Sequence, residues 1–355
     1  MVAGRLAALR DALLADDVVA LVVTHLPNVR YLSGFTGSHG RLLVTADDAV
    51  LVTDGRYGEQ AEAETAAAGV DVELVVTADP PAAALGEFVA GCPSVAVEST
   101  TPWADVRSMS DAWGRELAPL SGAVEALRAV KDAGEQAVMK RAVELADISL
   151  AAVLEASTPA TTEVELALAL EWEMRRRGAA ATSFDLIVAA GPHGALPHAS
   201  PAPVPLGRDT MVVVDFGCVL DGYCSDCTRT VCWGDPHPDL AAVWDVVAAA
   251  QDAARSAVAP GVPTRAVDAA AREVITDAGF GDAFVHGTGH GVGLEIHEKP
   301  RLAPRSDEVL DAGMVITIEP GVYLPGLGGV RLEDMVIVTA GGCETWTLSP
   351  RRMLV

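Results

Sequence analysis

Residues 210–233 read TMVVVDFGCVLDGYCSDCTRTVCW, and this stretch decides how the chain around it is read. Two apolar, β-branched runs flank Asp221-Gly222, a dipeptide suited to the two central positions of a hairpin turn. With those residues central, Leu220 faces Tyr223, Gly217 faces Asp226 and Asp215 faces Thr228. Asp215, Gly217, Asp226 and Thr228 then share one face, and the two carboxylates are diagonal neighbours about 7–8 Å apart at the backbone. An acid inside MVVVD is costly to bury unless it is paired or ligated. Viewed singly, Asp215 would pair with an arginine and Asp226 would belong to a turn. Placed together on one face, they suit a shared ion. The same register sends Cys218 and Cys227 to the face opposite Cys224, so the thiols of this stretch do not converge as a zinc–thiolate site requires.

Further along, residues 285–300 read VHGTGHGVGLEIHEKP. His286, His290 and His297 alternate there with glycines that let the backbone approach a ligand or another strand. The glycines forbid a stable helix, so this is not the helical HExxH arrangement of zinc proteases. In MVITIEPGVY (314–323), Glu319 ends a buried-looking strand that Pro320-Gly321 breaks. In VRLEDMVIV (330–338), the period of two puts Arg331 and Glu333 on one face with Met335 and Ile337, which asks for a partner for each charge. Four carboxylates and at least one imidazole on strands of one domain form an oxygen-rich donor set for hard or borderline divalent ions such as Mn²⁺. Two such ions about 3.5–4 Å apart would activate a water and polarise a carbonyl. The residues alone therefore predict a dinuclear hydrolase and no particular substrate.

The 355 residues suggest about two domains, half apolar and 21% charged, which is a globular composition. Residues 1–123 alternate strands (VVALVVT, RLLVT, AVLVT, DVELVV, SVAVE) with helices and read as an α/β domain. From residue 124 a second domain begins. A helical spacing runs over nearly thirty positions to Ser157, and a second helix ends near Gly178. Strands follow, then helices across 239–259 and 264–278, then the closing strands MVITIEP and VRLEDMVIV. A helix pair followed by strands thus occurs twice. Against 25 Lys+Arg stand 49 Asp+Glu, a net charge of −24, which excludes the basic footprint of a nucleic-acid binder and disfavours an anionic membrane surface. No apolar run is long enough for a spanning helix. The N-terminal MVAGRLAALRDALLADD lacks the design of a secretory signal. Six cysteines are few for a disulfide scaffold, so reduced thiols and a cytoplasmic location are expected.

In this order and spacing, DFG, SDCTRT, HGTGHGVGLEIHE, IEPGVY and RLED resemble the pita-bread metallopeptidases, in particular the aminopeptidase P and prolidase (Xaa-Pro peptidase) branch. The match runs from LRAVKDAGEQAVM (127–139) onward, and NVRYLSGFTGSHGRLLV and LVTDGRYGEQA resemble that branch's creatinase-like first domain. The resemblance implies an α/β (α+β) chain with a creatinase-like domain ahead of a pita-bread catalytic domain. It implies two divalent metal ions, with Mn²⁺ the usual activator and Co²⁺ or Zn²⁺ also found. Asp215, Asp226, His290, Glu319 and Glu333 match the five ligands; Asp226 and Glu333 would bridge the ions, and Glu319 would serve as general base. His198 (in LPHASP) and His297 match the histidines that hold the substrate carbonyl and the tetrahedral intermediate. His286, Tyr323 and Arg331 match residues around the proline pocket and ligand shell, and Phe184 matches an aromatic beside the substrate amine. The implied substrates are proline-containing peptides and the implied assembly is a homodimer or homotetramer. Xaa-Pro aminopeptidase is the first reading, on GFTGSHGRLLV and LVTDGRY. Xaa-Pro dipeptidase is the alternative, for which Arg301, Arg305 or Arg331 would recognise the proline carboxylate. A creatinase-like hydrolase or a non-catalytic binding protein on the same fold is a remote third.

Overall fold

The computed structural model describes residues 2–351 and 353–355. It divides into two compact units, residues 1–128 and 129–355, so the division falls between Arg128 and Ala129 rather than at 123, and most of the short helix Ala123–Ala129 goes with the first unit.

The first unit is built on a six-stranded sheet in the order Glu73–Val76, Ala49–Thr53, Arg41–Thr45, Ala20–Val23, Val95–Glu98, Ala118–Leu120. The continuous apolar run at Ala20–Val23 is buried along its whole length, as a central strand should be. It pairs antiparallel with Arg41–Thr45 and parallel with Val95–Glu98. The polar Ala46–Asp48 segment turns the chain because Thr45 takes the place of a backbone partner, its Oγ1 accepting from Asp48 N at 2.9 Å. At the end of its strand, buried Glu98 accepts from Thr24 N at 2.6 Å and His25 N at 2.7 Å, satisfying donors at the start of the helix Leu26–Ser33.

In the second unit, two capping boxes set the helix starts. Asp132 with Glu135 opens Ala133–Ala156, and Thr162 with Glu165 opens Glu163–Arg176. The helical pattern expected to run unbroken from 129 is interrupted before Asp132, where Lys131 N donates to Gly313 O at 2.9 Å. This helix pair shares one core with Val212, Val214 and Phe216, on a three-stranded antiparallel sheet of Cys227–Cys232, Met211–Phe216 and Ile187–Ala190. A second pair, Pro238–Ala257 and Thr264–Asp277, shares another core with Ile316, Ile318 and Val336 of a five-stranded sheet. The two successions of helix pair and strands are therefore two packed layers. Because Val212, Val214 and Phe216 face the helices, strand alternation turns Asp215 to the opposite side.

One expectation fails. VRLEDMVIV is not one strand: Gly328–Arg331 pairs back on Gly321–Leu324, whereas Asp334–Thr339 pairs with Val315–Ile318. The chain changes sheets at Leu332–Glu333, and Glu333 stands at the crossing. A further strand, Gly342–Thr345, lies beyond it at the sheet edge. No helix among the described residues is long and apolar enough to cross a membrane.

Candidate metal centre

The hairpin has the register its turn dictates. Leu220 faces Tyr223, Asp215 faces Thr228, and Asp221 and Gly222 occupy the left-handed region with φ of 47° and 84°. Between the two halves of the hairpin stands Gly217, where a Cβ would lie 2.0 Å from the carbonyl oxygen of Ser225. The bare backbone there lets the strand run on past Asp215 while Asp226 closes over it. Gly289 plays the same part beside His290, with Thr317 O at 2.0 Å from any Cβ. Cys218 and Cys227 pack into the helix-backed core and Cys224 into a different one. All six thiols are free, and burial pushes Cys218 up to about 11 and Cys224 up to about 12. These two buried thiols are inert core residues.

The structure brings Asp215, Asp226, His290, Glu319 and Glu333 to the wall of one cavity of about 650 Å³. Ligand atoms of Asp226, His290 and Glu333 lie within 4.8 Å of one another. His290 Nδ1 sits 3.0 Å from Gly291 O, which requires the proton on that nitrogen. The lone pair of Nε2 then points at the carboxylates, 3.5 Å from Asp226 and 3.4 Å from Glu319. Burial pulls His290 down to about 4, so it is neutral and ligand-ready. Glu333 is held by its backbone, N donating to Thr228 O at 3.0 Å, and its Oε2 accepts from Thr228 Oγ1 at 2.8 Å. Glu319 N donates to Thr288 O at 2.7 Å.

Asp215 does pair with an arginine: Arg331 Nη2 donates to its Oδ2 at 2.6 Å. Its Oδ1, however, is buried with no hydrogen-bond partner. An orphaned carboxylate oxygen on a wall shared with buried Asp226 and Glu333 and half-buried Glu319 fits a cation and little else. The acids themselves register the misfit. Burial, then the charges of neighbouring carboxylates, push Asp226 and Glu333 well above the ordinary range, and burial raises Glu319 to about 7. For Glu319 the folded value lies above the ordinary 4.5, so between 4.5 and about 7 the folded protein holds more protons than the unfolded chain. That stability is present at low pH and lost as pH rises through about 7. Metal-free wild type should therefore lose stability relative to metal-free Glu319→Gln across this window, a comparison in which the opposing titration of His286 and His290 cancels, and Mn²⁺ should offset the loss. A thermal-shift series of both proteins with and without chelator checks it; a metal-free difference between them that stays constant with pH would contradict burial as the cause of the raised carboxyl.

Around the acids, Phe184, His198, His286, His297, Arg301 and Arg331 also line the cavity. The His297 ring stands 4.4 Å from that of His290, edge to face. Tyr323 is not among the lining residues; it lies behind them, 5% exposed. Its hydroxyl accepts from Arg331 Nη1 at 2.8 Å and donates to His286 Nε2 at 2.9 Å, while His286 Nδ1 donates to Gly287 O at 2.7 Å. Arg331, His286 and Tyr323 are thus one relay. Burial lowers His286 to about 4, consistent with an imidazole that accepts from the phenol. Arg305 does not reach the cavity wall. Sequence reading missed two holders. Arg229, 2% exposed, grips Glu333 O at 2.6 Å while paired with Asp334 at 2.7 Å. Asp268 accepts from Thr288 N and Oγ1 and from Arg272, pinning the loop before His290. A charge within the apolar strand 227–232 is the signal that could have revealed Arg229.

The family model for metallopeptidase family M24 matches residues 137–340, and that for the creatinase/prolidase N-terminal domain matches residues 5–130. The Xaa-Pro dipeptidase of Pyrococcus furiosus is 35% identical over 329 residues, 92% of each chain. A solved structure of an Xaa-Pro dipeptidase from Bacillus anthracis aligns over 100% of both chains at 37% identity and a TM-score of 0.96. That of an X-Pro aminopeptidase from Thermotoga maritima aligns over 97% of this chain and 100% of the other, at 34% identity and a TM-score of 0.88. With its creatinase-like first domain and pita-bread second domain, the chain belongs to metallopeptidase family M24 and is a metal-dependent peptidase.

Proposed function

We propose that the protein is an Xaa-Pro dipeptidase, hydrolysing the bond ahead of proline in free dipeptides. The observation that carries this reading is Arg301, a cation on the wall of the cavity that also holds the acids. A dipeptide presents its own carboxylate one residue beyond the scissile bond, whereas a longer peptide presents an uncharged amide there. A guanidinium near the metal cluster matches the first. Full-length similarity to Xaa-Pro dipeptidases supports the same choice over the aminopeptidase reading that the first-domain motifs had favoured. Similarity to an X-Pro aminopeptidase keeps that second reading in the test.

The donor set of Asp215, Asp226, His290, Glu319 and Glu333 would hold two divalent ions, for which Mn²⁺ suits the predominance of oxygen. Bound there, the ions supply an activated water and Lewis acidity at the scissile carbonyl. Xaa-Pro is a tertiary amide without an N–H, so recognition falls on ring shape and on the two charged ends. Glu319 takes the proton as the water oxygen joins the carbonyl carbon, and returns it to the proline nitrogen as the C–N bond breaks. His198 and His297 donate to the oxygen on which charge develops. His297 is held below its ordinary value, first by burial and then by the Arg301 charge, and so works as a neutral donor. Phe184 packs beside the substrate amine, and the Arg331–Tyr323–His286 relay keeps Asp215 and the wall behind the ring in place.

Product analysis by mass spectrometry, with Mn²⁺ and a chelator control, decides the matter. Ala-Pro should be cleaved and Ala-Pro-Ala left intact. Release of alanine from the tripeptide would establish the aminopeptidase reading instead.

A further inference from the structure

Glu163 has no place in the chemistry above, yet it is a carboxylate with 0% exposure. It sits in the first turn of Glu163–Arg176, where Thr162 and Glu165 already complete the capping box. The helix start does not need it. Its oxygens instead accept three donors from one loop: Ala190 N at 2.7 Å, Ala202 N at 2.8 Å and His193 Nδ1 at 2.9 Å. Ala190 ends the strand that enters the loop, and Ala202 lies where the chain leaves it. Between these ends the loop presents Pro197, whose carbonyl accepts from Arg331 Nη1 at 3.2 Å, and His198, on the cavity wall. The loop is anchored by Ala199 against Ile187 and Ala189 and by its 191–195 turn, which lies against the strand Gly328–Arg331. A buried carboxylate is costly unless several donors meet it, and here the donors are the two ends of a loop.

We propose that Glu163, with His193, is the positioning residue for His198: one buried carboxylate closes the loop 190–202 at its neck and thereby fixes where the His198 ring stands in the cavity. This rests on the reading that His198 touches the substrate. A buried clamp that shifts a contacting ring by about 1 Å can cost up to ~10²-fold in rate.

The test uses the full-length, Mn²⁺-loaded protein with Glu163→Gln, His193→Ala, His198→Ala and the two doubles with His198→Ala. Glu163→Gln keeps the volume and one acceptor, and should lower kcat/KM on Ala-Pro about tenfold with bound metal unchanged. His193→Ala should act in the same direction and less strongly. Each double should be no worse than His198→Ala alone, because the clamp acts only through that ring. Amide hydrogen exchange should quicken across 191–202 in both clamp variants. Losses that multiply in the doubles, or exchange in 191–202 that matches wild type, would overturn the proposal. Should Glu163→Gln fail to fold, the half-exposed His193→Ala carries the same comparisons. A wild-type protein inert on Ala-Pro would refute the dipeptidase reading, while the exchange arm would still decide the clamp.

Discussion

Glu333→Ala is expected to lower turnover by about 10³-fold or more, the loss that follows when a metal's contribution of several kcal/mol is removed. Asp226→Ala should behave alike. The instructive part is stability. Glu333 is 1% exposed and sits among Asp226, Glu319 and Asp215, with its carboxyl pushed far up by burial and by the charges of Glu319 and Asp215. Holding such a group costs several kcal/mol. The alanine variant forfeits the Thr228 hydrogen bond, roughly 0.5–1.5 kcal/mol for a carboxyl kept neutral. Relief of desolvation and repulsion outweighs that loss when no metal is present. Metal-free Glu333→Ala should therefore melt no lower than metal-free wild type, whereas added Mn²⁺ should stabilise only the wild type. Metal counting by mass spectrometry alongside thermal shift checks both halves. A variant with full metal content and normal turnover would sink the ligand assignment.

His297→Ala should separate activity from metal binding. The ring faces the cavity beside His290 and serves in the proposed reaction as a donor to developing charge, a role whose loss typically costs about 10²–10³-fold in kcat. It stands outside the proposed ligand set, so metal content should stay near wild type. Parallel loss of metal and activity would move His297 into that set.

The parts of this site that sequence revealed are those fixed by local geometry. A two-residue turn leaves one register for the strands it joins, which is why Asp215, Asp226 and Thr228 could be put on one face in advance. The glycine-spaced histidines and the acid before Pro320 are likewise local signals. The break at Leu332–Glu333 was invisible because VRLEDMVIV keeps strand character throughout; the change of partner is imposed by Gly321 on one side and Ile318 on the other. Nothing local marks Glu163, since its donors lie 27 to 39 positions away. That Arg331 needs a partner and Asp215 an arginine was legible; that they are each other's partner was not, because the tie spans 116 positions. Tyr323 stands behind the cavity wall, joined to Arg331 and His286.

Gly217 and Gly289 carry a consequence for how such a chain can change. At each, main chain rests on main chain with no room for even a methyl group. A drifting sequence can try new residues at Phe184 or Arg301, where the cavity opens, and leave the strands that carry the acids in place. At 217 and 289 no first step exists, because the smallest replacement already pries apart the strands that aim the acids. The frame is thus fixed by the residues with least chemistry to offer, and novelty is confined to the rim.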